Sequence, residues 1–316
     1  MSSASLFSLV PERGLPVETT KATSQKMRQF EGLSPRLSGY LTLVRVPNCI
    51  MIGLAVIVGE TIALGRVPSG WVALLGFLTA SLLLAGAMVF NDIQDIQVDK
   101  LNSPDRPLPS GRVSIREAYA LSGILSALAI VSSTLLGVWT LLTTLVALVL
   151  MSYYNTRGKK TGLLGNAVVS FNVALPFFFG GLAVSNLRPL LFIFFLLAFL
   201  ANMAREVAKG ISDVEGDSAK GIRTVAVRSG VRAAAKVTAV LFGLAVVLSF
   251  FAPLLDSKVS VFYYPGVLIA DFGFLLSSYR LLRDQTPKTV RAVKTQVLLW
   301  MLLGLVGFLT GGTAAL

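Results

Sequence analysis

Seven of the 16 Asp and Glu in the chain fall into two short stretches. The first is Asn91-Asp92-Ile93-Gln94-Asp95-Ile96-Gln97-Val98-Asp99, an N-D-x-x-D-x-x-x-D pattern. At roughly 100° per residue, Asp92, Asp95 and Asp99 fall within about 60° of one helix face. The second runs from Glu206 through Lys209 and Asp213 to Glu215 and Asp217. On a continuous helix Glu206, Lys209, Asp213 and Asp217 share a sector of about 80°, and Gly210 and Gly216 are where such a helix would bend or end. Carboxylates at helix C-termini oppose the helix dipole and repel one another, so a cation must compensate. Mg2+ suits them, because it accepts a few carboxylates, keeps several waters and bridges phosphate oxygens. A diphosphate gripped by two such clusters becomes a good leaving group, which lets the C–O bond of an allylic ester ionise. Solvated acids in ordinary surface salt bridges are the bland alternative. That reading leaves the helical spacing on two separated stretches unexplained.

The chain has no histidine, which excludes His bases, His metal ligands and His-ligated haem and favours a hard cation held by oxygen. The single Cys49 rules out an intramolecular disulfide. Cations and an aromatic ring accompany the acids. Lys100-Leu101-Asn102-Ser103-Pro104-Asp105-Arg106-Pro107-Leu108-Pro109-Ser110-Gly111-Arg112 is a loop stiffened by three prolines that would bring Arg106 to a diphosphate. Tyr154 and Lys159 follow in the next polar stretch, where the ring would steady an allylic cation through its π face or serve as an interface anchor. Lys209, Lys220 and Arg223 flank the second cluster, and Arg45 and Asn48 open the first apolar run. For each cation, phosphate binding competes with plain anchoring at a membrane surface, and for Arg45 with snorkelling.

The elements that must carry these residues are membrane helices. With 54% hydrophobic and 14% charged residues and a mean hydropathy of +0.74, the chain is too apolar for an ordinary soluble domain. Apolar runs near the 20 or so residues that cross a bilayer predict nine spans, at about 40–65, 71–98, 115–136, 138–154, 163–184, 188–211, 233–255, 261–281 and 295–314. Residues 1–39 read as a polar cytoplasmic tail with no cleavable signal, ahead of a transmembrane domain over 40–316. Nine spans place 25 of the 28 Lys and Arg on one side, leaving Arg66, Arg188 and Lys258 on the other. The positive-inside rule then predicts an inside N-terminus, with both acidic clusters at the cytoplasmic ends of spans two and six. The net charge of +12 is spread over juxtamembrane loops, which points to anionic lipids and anionic substrates rather than nucleic acid.

The N-D-x-x-D-x-x-x-D segment at 91–99, the Asn102-Ser103-Pro104-Asp105-Arg106-Pro107 loop, Tyr154 with Lys159, and D-x-x-x-D at 213–217 resemble, in this order, the UbiA superfamily of intramembrane prenyltransferases. The resemblance covers about residues 40 to 314. It implies an all-helical bundle, Mg2+ dependence and a prenyl tail in an apolar channel open sideways to lipid. It assigns metal binding to Asn91, Asp92, Asp95, Asp99, Asp213 and Asp217. Asp92, Asp213 and Tyr154 become the residues expected to act in catalysis, with Arg106, Lys159, Lys209, Lys220, Arg45 and Asn48 on the donor diphosphate or an acceptor phosphate. The segments 105–111 and 205–217 look most like the archaeal ether-lipid branch, with geranylgeranyl diphosphate as donor and geranylgeranylglyceryl phosphate as acceptor. An aromatic prenyltransferase of quinone biosynthesis is the nearest alternative, and a membrane cation transporter the alternative of another class. A transporter would carry its acids near the bilayer midplane, not at span ends. A CDP-alcohol transferase is set aside, because its D-G-x-x-A-R signature is absent.

Overall fold

A computed structural model describes residues 34–219, 221–257 and 259–313, apart from the side chain of Asn102. Most of the expected tail, and Lys220 and Lys258, lie outside the described residues. Among the described residues there are nine helical segments long and apolar enough to cross a membrane, and each coincides with an expected span. In order, the helices are α1 (Pro35–Val44), α2 (Val46–Leu64), α3 (Gly70–Gln94), α4 (Ile96–Asn102), α5 (Ile115–Leu136), α6 (Val138–Thr156), α7 (Leu163–Ala183), α8 (Pro189–Ser212), α9 (Val214–Ala219), α10 (Val225–Ser229), α11 (Val231–Ser249), α12 (Ala252–Leu255), α13 (Tyr263–Arg283) and α14 (Pro287–Gly312). The first span comprises α1 and α2, and the seventh α11 and α12.

Three boundaries differ from the sequence reading. Helix begins at Pro35, not 40, because Ser34 caps it by accepting from the Leu37 amide. The ninth span begins at Pro287, since Thr286 caps a helix whose first turns carry Lys288, Arg291 and Lys294 and extend it beyond the apolar run. The acid-bearing helices are also not continuous. α3 stops at Gln94 with Asp95 near φ −91°, ψ 0°, and α8 stops at Ser212 with Asp213 near φ −108°, ψ 9°. Each break falls on an aspartate rather than on Gly210 or Gly216.

α8 packs against α7, α11 and α14, while α2 packs against α3 and α7. Small residues permit the tightest crossing. A Cβ at Gly180 of α7 would lie 2.5 Å from the Glu60 nitrogen and 2.7 Å from the Val56 carbonyl oxygen of α2, so these two backbones touch. Apolar side chains elsewhere face outward, as the lipid-facing surface of a bundle requires, and Trp71 and Trp139 are exposed at the ends of spans two and four remote from the acids.

Candidate active site

The proline loop after α4 is pinned by burial rather than merely stiff. Leu108 and Val113 are buried with Leu43, Val89, Ile93 and Ala118, and the Val113 amide donates to the Pro107 carbonyl. Arg112 closes the loop on itself, donating to the Ser110 hydroxyl at 3.1 Å and to the Asp105 carbonyl. This anchoring holds Arg106 over the first cluster, 2.6 Å from Asp99 and 3.9 Å from Asp92.

Arg45 reaches the same cluster from the other side. It separates α1 from α2 in the left-handed region (φ 55°), a conformation costing a non-glycine residue roughly 1 kcal/mol or more. Its guanidinium donates to Asp92 at 2.7 Å. The third cation, Lys159, donates to Asp95 at 2.7 Å from a short 3₁₀ turn over Gly158–Thr161. That turn meets the loop after the second cluster. Gly162 (φ 66°) lies so close to Arg223 that a Cβ would sit 2.0 Å from its carbonyl oxygen, and the Arg223 amide donates to Lys160.

In the second cluster Glu206 takes Arg205 at 2.9 Å and Lys209 at 3.4 Å. Asp213 accepts from the Ser212 hydroxyl at 2.9 Å, and its carbonyl accepts from the Asp217 amide. Tyr154 lies between the two groups, within electrostatic reach of Glu206, Asp95 and Asp217. Asp92 and Asp99 are buried. Burial pushes the Asp99 carboxyl above its usual range, against the opposing pull of Arg106.

These residues crown a cavity of about 940 Å³ that continues between the helices. Arg45, Asn48, Asn91, Asp95, Tyr154, Lys159, Glu206 and Lys209 line its polar end. Asp92 and Asp99 sit behind that wall, tied to Arg45 and Arg106, and Asp213 and Asp217 do not line it. The remainder is mostly apolar, with Leu83, Phe177, Leu197 and Phe308 among its walls. The polar cavity residues that the sequence did not single out include Asn172, Asn202, Ser249 and Asp271. For Asp271 the signal was available, since an acid inside a hydrophobic span is a functional candidate by default.

Among the described residues no three carboxylates converge tightly enough to hold an ion, because each acid of the first cluster is held by its own cation. The donor set nonetheless fits a hard divalent cation: it is all oxygen, and its buried acids depend on positive charge to remain ionised. Carboxylates from two helix ends, three cations and an apolar chamber beneath them suit an amphiphile with a polyanionic head and a long hydrocarbon tail.

Comparison with known proteins agrees with this geometry. The model of the UbiA prenyltransferase family matches residues 52–311. The digeranylgeranylglyceryl phosphate synthase of Methanopyrus kandleri is 38% identical over 275 residues, 86% of this chain and 98% of that protein. The synthase of the same name from Sulfurisphaera tokodaii is 34% identical over 252 residues, 76% of this chain and 86% of that one. A solved structure of a digeranylgeranylglyceryl phosphate synthase superposes with a TM-score of 0.79 at 30% identity, over 89% of this chain and 99% of that chain. The fold also matches a UbiA homologue from Archaeoglobus fulgidus bound to DMAPP and Mg2+, with a TM-score of 0.61 at 19% identity over 85% of this chain and 99% of that one.

Proposed function

We propose a reaction from one premise: the chain belongs to the UbiA prenyltransferase family and is a multi-pass membrane enzyme. The reaction is transfer of a geranylgeranyl group from geranylgeranyl diphosphate to the free hydroxyl of geranylgeranylglyceryl phosphate, forming the second ether bond of an archaeal-type membrane lipid. The likeness to digeranylgeranylglyceryl phosphate synthases over most of both chains carries this choice of acceptor over an aromatic ring.

The allylic C–O bond breaks with its electron pair leaving on diphosphate, and the acceptor hydroxyl oxygen forms the new C–O bond at that carbon. Asn91, Asp92, Asp95, Asp99, Asp213 and Asp217 would hold Mg2+, which the Archaeoglobus homologue binds together with DMAPP and which would neutralise the departing charge. Arg106 and Lys159, paired with Asp99 and Asp95, and Lys209, paired with Glu206, serve the donor diphosphate or the acceptor phosphate, with Arg45 and Asn48 at the same end of the cavity. Tyr154, at the polar end of the cavity, would steady with its π face the carbon that becomes cationic. The apolar walls exclude water, so the cation is captured by the acceptor rather than hydrolysed. The hydroxyl proton passes to the departing diphosphate or to a carboxylate such as Asp92 or Asp213, and an allylic cation is electrophilic enough to need only weak base help.

Purified enzyme given Mg2+, geranylgeranyl diphosphate and a panel of acceptors is expected to yield digeranylgeranylglyceryl phosphate by mass spectrometry. Efficient prenylation of 4-hydroxybenzoate with no product from the glyceryl phosphate would overturn the acceptor while leaving the family intact.

The active site faces the cytoplasm in this reading, on the strength of the charge asymmetry between the two sides. In a Cys49→Ala background, a cysteine at position 110 is expected to react with an impermeant thiol reagent only from the cytoplasmic side, and one at position 257 only from outside. Labelling of both from the same side contradicts this orientation.

A further inference from the structure

Asp271 is a buried acid far from both clusters, yet it lines the same cavity. Its carboxylate accepts a hydrogen bond from Ser249 at 2.7 Å, and the Ser249 carbonyl accepts from the Tyr263 hydroxyl at 2.8 Å. These contacts fix α13 against the end of α11. They also leave a carboxyl in a chamber whose other duty is to hold hydrocarbon.

Its depth follows from the register of two helices. The Thr238 hydroxyl of α11 is within 3.5 Å of the Ala204 carbonyl of α8, which sets those positions level. Ser249 lies eleven residues beyond Thr238 along α11, and Glu206 two residues beyond Ala204 in the opposite direction along α8. At 1.5 Å per residue, the Ser249–Asp271 pair is about 20 Å from Glu206. An extended prenyl chain advances about 5 Å per isoprene unit at ordinary carbon–carbon bond lengths, so a donor with its head among the acids reaches Asp271 after about four units.

Resting on the prenyl-transfer reading, we infer that Asp271, held by Ser249, fixes the longest donor chain this cavity accepts at four isoprene units. A fifth unit would have to press methyl and methylene groups against a carboxyl and strip its hydrogen-bonding environment, a penalty worth roughly ten-fold in affinity. Shorter chains end before they meet it. Asp271 is thus a specificity residue: it touches the tail, not the reacting atoms.

The test is a donor-length series on purified full-length enzyme, with diphosphates of two to six isoprene units, Mg2+ and geranylgeranylglyceryl phosphate, reading kcat/KM by product mass. In the wild-type enzyme kcat/KM is expected to fall at least ten-fold between four and five units. Asp271→Leu should shrink that step to within about two-fold without changing the rate with the two-unit donor, and Asp271→Asn, which stays polar at the same volume, should keep it. Asp271→Ala removes the carboxyl without adding bulk, so it serves as a second apolar variant with the same expected outcome. A wild-type enzyme that takes five and six units as readily as four overturns the inference. So does a folded Leu or Ala variant that retains the ten-fold step. Failure of the wild-type enzyme to transfer from any donor would instead overturn the prenyl-transfer reading itself.

Discussion

Asp92→Ala and Asp213→Ala are each expected to lower prenyl transfer on the order of a hundred- to a thousand-fold, the usual effect of removing one preorganised electrostatic partner of the departing charge. The two should differ in stability. Asp92 is buried and carries the Arg45 ion pair with Arg106 nearby, so its loss strands positive charge at the head of α2. Because Arg45 remains about a third exposed, solvent screens that cost and the bundle should still fold. Among the described residues Asp213 holds only the Ser212 hydroxyl by a side-chain bond, so Asp213→Ala should melt close to the wild type. Diphosphate release, measured beside thermal melting in detergent, separates the two effects. Release at the wild-type rate in either folded variant would remove that aspartate from the ionisation step.

Much of this arrangement was legible in the sequence because both signals are strong in membranes. Twenty-residue apolar runs locate the helices whatever their tertiary contacts, and acids are too costly in apolar surroundings to appear in two spaced groups by accident. What could not be read was how the acids are neutralised without metal. Arg106, the cation expected on a diphosphate, also pairs with Asp99, because Leu108 and Val113 bury the loop at that height. The breaks at Asp95 and Asp213 were equally hidden. Gly210, flanked by Thr224 and buried, stays helical, whereas the backbone turns at residues whose carboxylates sit at the helix ends. Asp271 was overlooked for a different reason: a lone acid in a span carries no spacing, and only the cavity gives it meaning.

Removing divalent metal should abolish transfer while leaving the fold almost unchanged, a combination that follows from the ion pairs. Chelation leaves Asp92, Asp95 and Asp99 facing Arg45, Lys159 and Arg106 at 2.6 to 2.7 Å, so the first cluster is not left as bare carboxylates that would drive its helix end apart. Returned Mg2+ must compete with those cations, and it stabilises only by its preference for the folded state, about 2.7 kcal/mol at a hundred times its dissociation constant. Activity should therefore return with added Mg2+, and melting should rise by only a few degrees. Ca2+ should restore much less, since its larger, looser coordination shell does not hold a diphosphate in the same way. Arg106→Gln sharpens the result. Without its guanidinium, Asp99 loses its 2.6 Å partner, so the chelated variant should melt lower than the chelated wild type and gain more on adding Mg2+. Transfer that persists undiminished in chelator would rule out the metal role, and an equal Mg2+ gain in both proteins would show that Arg106 does not stand in for the ion.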